Sequence, residues 1–157
     1  MNNVCAIIPA RSGSKGVINK NMRKIRGKTL LEWSIQACKK SKLIDKVIVS
    51  TDSKLYAEHS IKAGAEVPFL RPKNISLDTS TDFEFINHAL NWFDDKGTIP
   101  NFIAHIRPTT PFREPLIIDK AIESFIIKKD ATALRSVHLM PETAYKSFEI
   151  NSSGYLM

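Results

Sequence analysis

The sequence predicts a three-layer α/β/α sandwich over residues 1–140, with a short hairpin over 141–157. Five short apolar or β-branched runs alternate with four stretches of helical spacing. Such an alternation closes as parallel strands joined by helical crossovers. The runs also lead into the polar stretches "ARSGSKG", "STDS", "LRPKN" and "RPTTPFR". This puts the reactive side chains beyond the carboxyl ends of the strands, where open α/β sheets bind ligands. A chain of 157 residues with 43% apolar composition suits one domain with a sizeable core.

The first run, "VCAIIP" at 4–9, is continuously apolar, as in a strand covered on both faces. A basic, glycine-containing loop follows. Residues 29–40 place Leu30, Trp33, Ile35, Ala37 and Cys38 at helical spacing and end in two lysines, which suit a helix C-terminus. "KVIVST" at 46–51 is a β-branched strand. Asp52 and Ser53 can cap the next helix, which Gly64 stops. "EVPFL" at 66–70 reads as a third strand, moved toward an edge by Pro68. Thr81 and Glu84 have the spacing of a capping box for a helix over 82–93. "FIAHI" at 102–106 gives a fourth strand, Pro115 opens a helix running to 129, and "ATALRSV" at 131–137 gives a fifth strand. After Pro141, two short runs flank an Asn-Ser-Ser-Gly turn.

The 23 Lys and Arg against 16 Asp and Glu leave a net charge of +7, which suits an anionic partner. Nucleic acid is not the expected one, because the basic residues are dispersed and no helix-turn-helix, zinc-finger or RNA-binding motif accompanies them. Cys5 and Cys38 read as buried small apolar residues of a reducing compartment. The four histidines lie one per element, without metal-ligand spacing. No signal-peptide pattern or membrane-length apolar stretch is present, so no membrane partner and a cytoplasmic setting are expected.

"IIPARSGSKGVINKN" at 7–21 matches neither standard phosphate motif. Lys15 precedes Gly16, where the P-loop needs the reverse, and Gly13 and Gly16 supply only G-x-x-G. Phosphate binding is still physically sensible. Glycines let backbone N–H groups turn inward, Arg11 offers a planar fork, and Lys15 and Lys20 supply point charges. The alternative is a solvated surface loop.

That loop, with "GKTLLEWSI", "VIVSTD", "AEVPFLRP", "DTST" and "RPTTPFR" in order, resembles the acylneuraminate cytidylyltransferases, or CMP-sialic acid synthetases. The likeness runs from about Val4 to Val137 and more weakly into the tail. It implies a nucleotide-diphospho-sugar transferase-like (Rossmann-like) fold, with 1–140 as a nucleotide-binding core. It also implies that CTP and a nine-carbon 2-keto acid sugar give the CMP-sugar and pyrophosphate. By position, Arg11, Ser14, Lys15, Lys20 and Asn21 fall in the triphosphate loop, with Arg11 and Lys15 stabilising charge in the reaction. Arg71 and Ser80 fall at nucleoside contacts. Asp82 stands where the family commonly has serine, and is either a base contact or a first-turn helix carboxylate. Arg107 replaces the family's usual glutamine, and with Thr109 lies on the sugar side. Arg107 is expected to end a buried strand, gripping the sugar's carboxylate or pairing with a neighbouring acid. Arg113 either contacts ligand or makes a local salt bridge. Asp52 is a metal ligand or, by preference, the helix cap.

The resemblance further implies Mg²⁺ bound with CTP and a homodimer built through an extension that begins at 141–157. Relatives supply their metal-binding aspartates beyond the part matched here, so no metal ligand is assigned and the chain is expected to be the N-terminal part of such an enzyme. Alternatives left open are another base, another keto-acid sugar, or a nucleotide-binding module without turnover.

Overall fold

The computed structural model describes residues 3–137. Strand β1 (Val4–Pro9) is buried along nearly its whole length. The basic loop follows it and tightens into one 3₁₀ turn at Lys20–Met22. A small antiparallel hairpin comes next, β2 (Lys24–Ile25) and β3 (Lys28–Thr29). The sequence reading missed this hairpin. Its turn residues Arg26 and Gly27 take φ of 51° and 81°, and arginine is not a residue that advertises a left-handed turn. Helix α1 (Leu30–Lys40) starts on a capping box also left unread. The Thr29 hydroxyl accepts from the Glu32 N–H at 3.0 Å, and the Glu32 carboxylate accepts from the Thr29 N–H at 2.6 Å.

Strand β4 (Lys46–Ser50) leads to helix α2 (Lys54–Lys62). Its cap is Ser53, whose hydroxyl accepts from the Tyr56 N–H at 3.4 Å. Helix α3 (Asp82–Asp95) begins at Thr81 as expected, with Glu84 accepting from the Thr81 N–H at 2.5 Å. Strand β5 (Phe102–His105) and helix α4 (Pro115–Ile127), with proline in its first turn, complete the described order.

The main sheet runs β4-β1-β5, all parallel, with Ile7 opposite Ile48 on one side and His105 on the other. Two expected strands are corrected. The one at 66–70 shrinks to a single parallel bridge between Ile48 and Glu66, since Pro68 has no N–H to continue a ladder. The one at 131–137 is exposed coil. Arg135 interrupts the face carrying Ala131, Ala133 and Val137, and the other face has Leu134 alone as a large apolar side chain, so neither has enough to bury. The tail hairpin expected after Pro141 lies outside the described residues.

The period of two along β1 divides the core. Cys5 and Ile7 pack with Ile48 and with Phe85, Ala89 and Phe93 of α3. Ala6 and Ile8 pack with Val47 and Val49 and with Leu31, Ile35 and Tyr56 of α1 and α2. Helices therefore cover both faces of the sheet, and three layers result. Burial pushes both cysteine thiols up to about 12, so they are packing residues and not nucleophiles.

Asp119 ties α4 to the turn after α1. Its buried carboxylate accepts from the Ser41 hydroxyl at 2.5 Å and from the N–H groups of Lys42 and Leu43 at 3.1 and 3.3 Å. Burial alone would raise this carboxyl, but those bonds outweigh it and hold it below the usual range. A depressed folded-state value contributes stability above the unfolded value, about 4, and that stability is lost as pH falls through the folded one. Asp119→Asn, which keeps one acceptor, is expected to cost about 1 kcal/mol at pH 7. The gap from the parent protein should narrow near pH 3 in urea denaturation. Equal stability at pH 7 would show that these bonds carry no net weight.

Candidate functional site

The chain leaves β1 through α1 to reach β4 on one side, and reaches β5 on the other side through α3. Strand order therefore reverses at β1, and a crevice opens beyond its carboxyl end. A cavity of about 220 Å³ lies there. Arg11, Ser14, Lys20 and Asn21 line it from the loop after β1. Arg71 and Ser80 line it from the stretch before α3, Asp82 and Phe85 from α3, and Arg107 and Thr109 from the loop after β5. Every residue assigned from the sequence to the nucleotide or the sugar is in this set except Lys15, and Arg113, offered as an alternative ligand contact, is also outside it.

The first loop is fastened at several points. Ser12 donates its N–H and hydroxyl to the two oxygens of Asp52, at 2.7 and 2.8 Å. Asp52 is thus neither the helix cap nor a lone metal ligand. It anchors the loop after β1 to the end of β4, a contact across 40 residues that spacing could not reveal. Gly13 takes a φ of +45°, where a side chain would be strained. The buried Asn21 donates from its amide to the Arg11 carbonyl at 3.2 Å, and Tyr56 donates to the Asn19 side chain at 3.3 Å. These ties hold Arg11, Ser14 and Lys20 at the cavity.

Lys15 points elsewhere. Its side chain is 85% exposed and its ammonium lies 2.7 Å from Asp78 Oδ2, while Arg11 Nη2 lies 2.5 Å from Asp78 Oδ1. The bonds from Lys15 and Arg11 hold the Asp78 carboxyl below its ordinary range. Sequence reading placed the "DTST" stretch at the nucleoside without giving Asp78 a partner, because nothing local signals one 67 residues away.

Arg71 is 5% exposed. It donates from Nε to the Ser50 hydroxyl at 3.0 Å and from Nη2 to the Ser50 carbonyl at 2.6 Å. Its guanidinium lies 4.8 Å over the Phe85 ring. Among the described residues no carboxylate forms an ion pair with it. Burial pushes its pKa down to about 10, so it is still charged at neutral pH, at a cost. Asp52 and Asp82 favour the charged form only from a distance, and a buried cation without a direct ion pair, lining a cavity, is a place for an electron-rich ligand.

Across the cavity, Asp82 in the first turn of α3 pairs with Arg107. The Arg107 side chain is 59% exposed, which corrects the expectation of burial. β5 ends at His105, so position 107 is already loop. Arg113 does not make the local salt bridge among the described residues. It donates to the carbonyls of Arg107 and Thr110 at 2.8 and 2.7 Å and so shapes that loop. Ser80 accepts from the Leu77 N–H at 3.0 Å. His105 packs its ring edge against Phe85, and burial lowers its pKa, keeping it neutral.

For Mg²⁺ the described residues offer no group of three or more potential ligands. Asp82, which lines the cavity, and Asp78, paired with the cavity-lining Arg11, are each engaged by cations. The described residues do not form a metal site.

Comparison with known proteins bears on the family and the fold. The sequence profile described as cytidylyltransferase matches residues 5–147. The chain is 41% identical over 122 residues to the N-acylneuraminate cytidylyltransferase of Escherichia coli, covering 78% of this chain and 28% of that protein. It is 34% identical over 155 residues to the CMP-N,N'-diacetyllegionaminic acid synthase of Legionella pneumophila, covering 98% and 66%. It therefore spans between about a quarter and two thirds of these relatives' length. A solved CMP:2-keto-3-deoxy-manno-octonic acid synthetase matches with a TM-score of 0.68 at 16% identity, over 85% of this chain and 50% of that one. This second likeness is one of fold, the nucleotide-diphospho-sugar transferase-like sandwich expected from the sequence. With its profile match spanning most of its length, the chain belongs to the cytidylyltransferase family.

Proposed function

We propose that this chain is the nucleotide-binding part of an enzyme that joins CTP to a nine-carbon 2-keto acid sugar of the sialic acid type. The products are the CMP-sugar and pyrophosphate. The observation that carries the reading is the buried Arg71, which makes no direct ion pair among the described residues, in a crevice that also receives Arg11 and Lys20. In this reading the sugar's anomeric hydroxyl attacks the α-phosphorus and pyrophosphate leaves. The protein's part is to position the two substrates and neutralise charge building on the phosphate oxygens. Arg11, Lys15 and Lys20 take the phosphates, while Ser14 and Asn21 shape the loop. Arg71, Ser80 and Asp82 form the nucleoside wall. Arg107, steadied by Asp82, and Thr109 receive the sugar, with the Arg107 fork suited to a carboxylate.

Mg²⁺ belongs to the proposal only as a companion of the triphosphate, and no step is assigned to it. A homodimer and a cytoplasmic setting are likewise proposed. Among the described residues, no helix is long and apolar enough to cross a membrane. The names of the relatives, which include a legionaminic acid synthase, support a keto-acid sugar without fixing which one.

The test is pyrophosphate release from CTP, UTP, ATP and GTP with a panel of keto-acid sugars, using the complete gene product. Release is expected from CTP with a 2-keto acid sugar. Arg107→Gln should raise the KM for that sugar about tenfold, as for one lost charge-assisted contact. KM for CTP and thermal stability should change little, because the Arg107–Asp82 pair is exposed. Release without preference for CTP would reject the base assignment. An unchanged sugar KM in Arg107→Gln would leave Arg107 as the structural partner of Asp82.

A further inference from the structure

The contacts of Asp78 extend the phosphate-binding reading, on which this inference rests. One carboxylate answers two cations of the first loop, Arg11 at one oxygen and Lys15 at the other, at 2.5 and 2.7 Å. A carboxylate held in this way presents the same pair of acceptor oxygens as two non-bridging oxygens of a phosphate. The contact lies on the surface, with side chains 30%, 85% and 33% exposed for Arg11, Lys15 and Asp78. Exposed ion pairs contribute little to folding, so the arrangement is not needed to hold the sandwich together. It instead joins the loop after β1 to the stretch that carries Ser80 and leads into Asp82.

We propose that Asp78 is a displaceable counter-ion, replaced on Arg11 and Lys15 by the phosphates of the incoming nucleotide. A polyanion outcompetes a single carboxylate for two cations in water, and the cost of displacement is small because both pairs are solvated. The exchange frees the 71–80 stretch from the first loop, so phosphate occupancy is felt at Ser80 on the nucleoside wall. Asp78 is poorly placed to hold a divalent cation itself, since an ammonium and a guanidinium already contact it and would repel a second positive charge.

Asp78→Asn keeps the shape and removes the charge. In calorimetric titrations of the 157-residue chain, CTP should bind this variant about threefold to tenfold more tightly than the parent, as expected for releasing exposed pairs. Cytidine, which lacks phosphate, should bind both proteins alike. Unchanged or weaker CTP binding by Asp78→Asn, with CTP still preferred over cytidine in the parent, would overturn the counter-ion and leave the phosphate site standing. A parent protein that binds CTP no better than cytidine would overturn the phosphate reading itself, and the counter-ion with it.

Discussion

Replacing Arg71 with methionine is expected to weaken CTP binding about tenfold to a hundredfold, the range of a lost charge-assisted hydrogen bond, while the fold survives. The two halves of this result have separate causes. The guanidinium is buried at the cavity with no direct ion pair among the described residues, so a ligand contact there is made in a poorly solvated place and counts for more. Folding gains less from the same residue. Burial lowers its pKa to about 10, so at every pH below that value the folded state carries the charge at a cost. Methionine removes that cost, fills the stem's space and keeps a favourable contact with the Phe85 ring. The Ser50 carbonyl retains the Ala10 N–H at 2.9 Å, which leaves the Ser50 hydroxyl as the partner to be lost. The opposing changes should leave stability within about 2 kcal/mol of the parent. Urea denaturation and CTP titration of the same preparation separate the effects. A variant that unfolds without denaturant, or that binds CTP like the parent, would make Arg71 a structural residue.

The sandwich was legible in the sequence where burial and period speak together. β1 and β4 are short runs with neighbours on both faces, and the four helices carry their own start signals, such as Thr81 with Glu84 and Pro115. The misreadings arose where neighbours decide. Residues 66–70 have the composition of a strand, but Pro68 limits the pairing to one bridge at Glu66. Residues 131–137 alternate without offering a continuous apolar face, and are exposed. The small hairpin at 24–29 was hidden because Arg26 occupies a left-handed position.

The site shows the same division. Positions in the ordered motifs could be named one by one, and of those assigned to the nucleotide or the sugar all but Lys15 line the cavity. Their partners could not, because Asp52 meets Ser12, Asp78 meets Arg11 and Asp82 meets Arg107 across long stretches of chain. Sequence spacing reports side chains on a shared local element, whereas these pairs are assembled by the return of the strands to one edge. Arg113 illustrates the limit from the other direction. Its charge suggested an acid as its protein partner, and it bonds to two backbone carbonyls.

The central claim, that the loop after β1 binds the outer phosphates of a nucleotide, is tested most directly by titrating CTP and CMP into the parent protein and Lys15→Ala. Lys15 is 85% exposed and its ion pair is with Asp78, so its removal leaves the core and the cavity wall untouched. A contact made only with the outer phosphates should be missed by CTP alone. Affinity for CTP is expected to fall about tenfold or more, with CMP affinity changed by less than about twofold, the range of an exposed pair. Equal losses for the two nucleotides, or no loss for either, would contradict the assignment of this loop to the triphosphate.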